Sequence, residues 1–210
     1  MLSAIRRAWR SYLDSLPRSE EPAPVSDAAI RREMSPPHPA EVRQAFAALA
    51  GIATGHLPQE AAVKAAAALS ARLKPGTTPS EAMARWIGAN NGPKSRNLGV
   101  MCVDWKAREE IQWQAERIAK AHRIELDWHY DFRADRSWEG WEERGETPVS
   151  APLRALADAL RRQGLALIVL ANDDTVCAFA VRVEHEGEVL ALADRLGLAV
   201  ERAVSSAGRA

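Results

Sequence analysis

The run "LALIVL", residues 165–170, constrains this chain most. Six consecutive apolar residues sit between Gly164 and the polar "ANDD". A strand buried on one face alternates apolar and polar letters, and this one does not. It reads as a central strand covered on both faces. "ANDD" then supplies a hairpin turn, and "TVCAFAVRV" reads as the return strand. A hairpin of that kind needs helices above and below it, and the rest of the chain supplies them.

Upstream, residues 98–104 read as a strand and 107–121 as a helix with Ile111, Ala115 and Ile118 inward. "RIELDWHYDF", residues 123–132, alternates strictly: Ile124, Leu126, Trp128, Tyr130 and Phe132 against Glu125, Asp127, His129 and Asp131. Period two over that length predicts a half-buried strand. "SAPLRALADALRRQG" is a helix with Ser150 as its N-cap and Gly164 after its end. "GEVLALADRLG" is a last helix and "LAVERA" a short final strand. The expectation is an α+β fold, a mixed five-stranded sheet with packed helices, preceded by a helical N-terminal region. Two strand–helix–strand units and one hairpin generate that sheet.

The N-terminal region divides by composition. Residues 1–16 read as an amphipathic helix carrying Arg6, Arg7 and Arg10. Residues 17–39 are a proline-rich linker, with Pro17, Pro22, Pro24, Pro36, Pro37 and Pro39. Residues 40–96 are helical. One helix stops at Pro75-Gly76, and the next opens on Thr78 three residues before Glu81, the capping-box spacing. The breaker cluster "GANNGPKSRN" precedes an α+β domain over residues 97–204.

Lys+Arg and Asp+Glu both number 28, so the formal net charge is zero and no nucleic-acid partner is expected. A single short basic helix binds membranes weakly, so membrane-surface contact by residues 1–16 is not expected either. The first residues lack a continuous apolar stretch of the secretory type, and no apolar run reaches the about 18 residues of a membrane span. The expected compartment is the cytoplasm. Cys102 and Cys177 each lie in an apolar strand-like run and read as small buried thiols; without a Cys-x-x-Cys pair, neither a zinc knuckle nor a redox motif is indicated.

Two constellations bear on catalysis. Asp104-Trp105-Lys106 ends a strand ahead of a helix, which resembles part of the metal-dependent nuclease pattern of the PD-(D/E)xK type. In that pattern a carboxylate binds magnesium and the lysine orients water. Asp104, Lys106 and, as a further acid, Asp131 are its candidates here. The second acid expected on an upstream strand is absent, because residues 40–97 contain no aspartate. The plainer reading is that Asp104 caps the following helix and Lys106 is solvated. The other constellation is Asp127, His129 and Asp131, one face of the alternating strand, as ligands for a divalent cation. Same-face neighbours stand about 6.6 Å apart along a strand, which strains a compact site. His122 ends a helix, where the dipole favours its charge. No phosphate loop, dinucleotide fingerprint or Ser-His-Asp arrangement is present.

The seven tryptophans are more informative. Trp86 and Trp128 fall on apolar faces and read as core. Trp113 points away from Ile111 and Ile118, and Trp138 and Trp141 lie in the charged loop "RSWEGWEERGE". Aromatics framed by charge mark a contact surface, so Trp113, Trp138 and Trp141 are the expected partner-binding residues.

With its strand running into Asp104-Trp105-Lys106, a helix starting at Glu109-Glu110-Ile111, and the closing "DDTVCAFAVRVEHEGEVLALADRLGL", the C-terminal half resembles a bacterial family known only as a domain of unknown function. The resemblance covers about residues 97–203 and implies no activity and no catalytic residues. The expected function is a non-enzymatic accessory or protein-binding role, of which an immunity-like role is one form, with another protein as partner and no cofactor. The alternative is a metal-dependent hydrolase or nuclease using Asp104 and Lys106.

Overall fold

The computed structural model describes residues 35–92, 98–104, 107–136, 139–140, 143, 149–170 and 175–202. Three helices come first: α1 (Ala40–Thr54), α2 (Gln59–Ser70) and α3 (Pro79–Ala89). β1 (Val100–Asp104), α4 (Glu110–His122), α5 (Ser150–Arg162), β2 (Leu165–Leu170) and β3 (Thr175–Arg182) follow. A 3-10 turn at Val183–His185 leads into α6 (Glu186–Arg195) and β4 (Val200–Arg202).

Local chemistry sets several boundaries. Pro39 and Pro58 occupy the N-cap positions of α1 and α2, where a backbone without an N–H leaves nothing unsatisfied. The expected capping box opens α3: the Glu81 N–H donates to Thr78 Oγ1 at 3.2 Å and the Thr78 N–H donates to the Glu81 carboxylate at 3.0 Å. At α5 the expectation shifts by one residue. Val149 takes the N-cap position, where its side chain makes no cap hydrogen bond, and Ser150 is the first helical residue.

The sheet has the order β1-β3-β2-β4, and every pairing is antiparallel. The β2–β3 hairpin lies at its centre, with Leu170 opposite Cys177. As the apolar run implies, all six residues of β2 are buried. Ala166, Ile168, Leu170, Phe179 and Val181 face one layer with Phe46 and Leu49 of α1, Trp86 of α3 and Val189 of α6. Leu165, Leu167, Val169, Ala178 and Ala180 face the other layer, with Ile111 and Ile118 of α4 and Leu156 and Leu160 of α5. The helices of residues 40–89 therefore share a core with the sheet. None of the described helices is long and apolar enough to cross a membrane.

The expected mixed five-stranded sheet is replaced by an antiparallel one of three long strands and a three-residue fourth. Two physical reasons account for the difference. β1 and β2 are parallel to each other, but β3 lies between them and pairs with both, so the expected strand–helix–strand unit makes no parallel ladder. Residues 124–131 are extended yet pair with none of the described strands. Ile124, Leu126, Trp128 and Phe132 pack against the core layer beneath α4 and α5, while Glu125, Asp127, His129 and Asp131 are exposed. The strict alternation records one dry and one wet side, which a helix surface provides as well as a sheet does.

Candidate functional site

Helix α4 positions the most distinctive surface of the molecule. Ile111, Gln114, Ala115 and Ile118 are fully buried at helical spacing, which fixes the inward face. At its C-terminal end Arg123 takes a left-handed conformation (φ 56°) and the chain reverses. The Ile124 N–H donates to the Ala119 carbonyl at 3.0 Å, and the extended run then passes back along the helix. Its far end is anchored firmly. Arg108 pairs with Asp135 at 3.0 Å and donates to the Phe132 carbonyl at 2.8 Å, with both charged side chains almost wholly buried. Asp131 Oδ1 accepts the N–H groups of Arg133 and Ala134 at 3.0 and 3.1 Å, which closes the turn after the run.

Between helix and run lies a groove of about 330 Å³. Ala115, Ala119, Ile124, Leu126 and Trp128 make its apolar lining, and Gln112, Glu116 and Lys120 its polar side. Two of these residues have an unmet polar atom. The Trp128 indole Nε1 and the Gln112 Oε1 are buried and have no hydrogen-bond partner. Leaving such a group unpaired costs about 1–3 kcal/mol. The residues lining one groove thus include a buried unpaired donor and a buried unpaired acceptor beside an apolar floor.

The residues singled out from sequence are distributed as follows. Asp104 ends β1, exposed and opposite Thr175. Lys106 lies outside the described residues, and Asp131 is committed to its turn. Among the described residues no three His, Cys, Asp or Glu side chains gather to hold a metal, so Asp127, His129 and Asp131 do not converge. Trp86 is core, as expected, and Trp128 is half-buried at the core margin. Trp113 is half-buried, with the Arg117 guanidinium 5.4 Å from its ring centre. Arg117 also donates to the carbonyls of Asn90 and Asn91, and burial lowers its pKa from the ordinary arginine value. Trp138 and Trp141 lie outside the described residues.

His122 departs from the charged helix-end residue that the dipole argument suggests. It is 8% exposed and stacks on His56 at 4.3 Å. Burial lowers its pKa to about 4; the nearby His56 and Arg182 charges lower it further, against a hydrogen bond to the Ala180 backbone. Gly99 makes room for this ring. Its φ is +63°, and a Cβ there would stand 2.8 Å from His122 Nε2, so both conformation and space require glycine.

Some functional groups were not singled out from the sequence. Gln114 and Asn91 clamp the outer edge of β1: the Cys102 N–H donates to Gln114 Oε1 (2.8 Å) and Asn91 Oδ1 (3.2 Å), while both amide nitrogens donate to the Cys102 carbonyl. These side chains satisfy an edge that would otherwise offer a strand-pairing template. A glutamine at an inward helical position was the legible signal for Gln114; nothing in the turn cluster distinguishes Asn91 from Asn90. Gln112 and the Trp128 indole gave no signal, since their sharing one groove depends on how the extended run lies along α4.

Residues 28–203 match the family model described as "Domain of unknown function (DUF6630)", and the chain belongs to that family. The match reaches well upstream of the C-terminal half from which the resemblance was read, and takes in the helices of residues 40–89. No curated protein and no solved structure matches.

Proposed function

We propose, from membership of a family whose description assigns no activity, that this chain is a non-enzymatic accessory protein of the bacterial cytoplasm that binds an extended segment of another protein. The observation that carries this reading is the pairing of unmet groups in the groove beside α4, Trp128 Nε1 and Gln112 Oε1. An extended peptide offers the complement of each, carbonyls to accept from the indole and N–H groups to donate to the amide oxygen. An apolar side chain of that peptide fills the space over Ala115 and Ala119. Satisfying both groups recovers part of what their burial costs the free protein. The adjoining run has no strand partner among the described residues, which suits recognition of an extended chain. Trp113, one turn from Glu116 on α4, and the tryptophans 138 and 141 are the aromatic anchors proposed to extend the contact. Balanced charge, and the lack among the described residues of three His, Cys, Asp or Glu side chains gathered for a metal, support recognition as the reading.

The test uses peptides selected from a random library on the full chain. The indole N–H resonance of Trp128, assigned through Trp128→Phe, is expected to move downfield as a selected peptide is added. Lys120→Trp, which fills the groove from its rim, is expected to weaken binding at least about tenfold, or about 1.4 kcal/mol. Peptides that bind with that resonance unmoved, or a library that yields no binder, would contradict the reading.

A further inference from the structure

Cys102 and Cys177 are 75 residues apart in sequence and directly opposite in the β1–β3 ladder. The Ala180 N–H donates to the Gly99 carbonyl, and residues 99 and 180 fall on the same register line. Hydrogen-bonded pairs alternate with non-hydrogen-bonded ones along an antiparallel ladder. Counting from that bond, Met101–Ala178 and Val103–Val176 are bonded pairs and Cys102–Cys177 is a non-bonded one. Cα atoms in non-bonded pairs stand about 4.5 Å apart, inside the window of about 4.4–6.8 Å that a disulfide spans. Both side chains point to the α1–α3 face, both thiols are free, and their sulfurs are 2.9 Å apart.

The surroundings fix this geometry and make the two thiols unequal. Cys102 turns its backbone N–H and carbonyl away from β3, into the clamp of Gln114 and Asn91, and these four hydrogen bonds hold its backbone at the register that sets it opposite Cys177. Cys102 is half-buried, whereas Cys177 is 1% exposed. The hydrogen bond from Cys177 lowers the Cys102 pKa to about 7 against the effect of burial, and the same contact together with burial pushes the Cys177 thiol up. A half-buried thiol with a lowered pKa beside a fully buried one is the arrangement of an attacking and a resolving cysteine.

We infer that Cys102 and Cys177 form a reversible thiol–disulfide site oxidised by hydroperoxides, with Cys102 attacking and Cys177 resolving. The Cys102 thiolate attacks a peroxide oxygen; the O–O bond breaks, a sulfenic acid forms, and the alcohol or water leaves with a proton. The Cys177 sulfur then attacks the sulfenic sulfur. The S–S bond forms, the S–O bond breaks, and hydroxide leaves as water with the Cys177 proton. Two thiols and one hydroperoxide become one disulfide, one alcohol (or water) and one water, a two-electron oxidation that a dithiol reductant reverses. The product staples the edge strand β1 to the central hairpin.

The full chain, fully reduced, is treated with one equivalent of hydrogen peroxide, alkylated with N-ethylmaleimide and weighed intact. The expected product is monomeric, lighter by two hydrogens, free of alkylation, and restored to two alkylatable thiols by dithiothreitol. Cys177→Ser is expected to stop at a sulfenic acid on Cys102 that dimedone traps. In Cys102→Ser, Cys177 is expected to react at least about tenfold more slowly at pH 7 than Cys102 does in the wild type. The wild-type mass decides the matter even if either variant fails to fold. Two alkylated thiols after peroxide, a disulfide-linked dimer, or a Cys102→Ser chain oxidised as fast as the wild type would overturn the inference.

Discussion

Residues 165–170 and residues 124–131 are both extended and both contribute to the core facing α4 and α5, yet they meet different fates. The first has six apolar letters, hydrogen-bonds to β3 and to β4, and is buried throughout. The second alternates, half-buries every other residue, and lies along α4 without joining the ladder of the described strands. A strand with two dry faces must find backbone partners, because no water reaches its N–H and carbonyl groups. A stretch with one wet side is under no such compulsion. The strength of a period-two pattern therefore says how a segment is wetted; the absence of the pattern, in an apolar run bounded by turns, says that it is paired.

That contrast can be pressed energetically. Ile168→Ala at the centre of β2, where the side chain is fully buried, is expected to lower the unfolding free energy by about 3 kcal/mol. Leu126→Ala on the half-buried run is expected to cost about 1 kcal/mol. Denaturant titrations of both variants check it, and equal losses would mean that the run is as integral to the core as β2. A smaller, pH-linked effect comes from the joint between α4 and the run. His122 is buried uncharged, with a pKa lowered to about 4 from its ordinary 6.5. The unfolded chain binds the proton more readily, so stability is fully present above about pH 6.5 and is lost as pH falls toward 4. Between pH 7.5 and 5.5 His122 alone should account for roughly 1 kcal/mol, and His122→Asn should flatten the pH dependence of stability by that amount. An unchanged slope in the variant would show that the ring is hydrated in the native state.

Sequence reasoning reached those parts of the fold in which local chemistry and burial agree. The central hairpin follows from one apolar run and its turn, the start of α3 from Thr78 and Glu81, and the inward face of α4 from Ile111, Ala115 and Ile118. What it missed depends on residues far apart in the chain. The fate of 123–132 was decided by α4 and α5 covering the sheet face, which no local pattern encodes. The partnership of Cys102 with Cys177 needs the ladder register, and the groove needs the reversal at Arg123 that brings Trp128 and Gln112 into one lining. Among the described residues Trp128 lines the groove, yet its sequence pattern reads as core, because half-burial and full burial leave the same mark on a period-two pattern.

Backbone hydrogen exchange, followed residue by residue on the full chain at pH 7.5, addresses the division between paired and unpaired extended segments most directly. The amides of Ala166 to Leu170 are expected to exchange only through global unfolding, while those of Glu125 to His129 exchange orders of magnitude faster in the free protein and slow when a selected peptide occupies the groove. Protection of Glu125 to His129 equal to that of β2 in the free protein would contradict the account, since the run would then already have its strand partner and offer nothing to another chain.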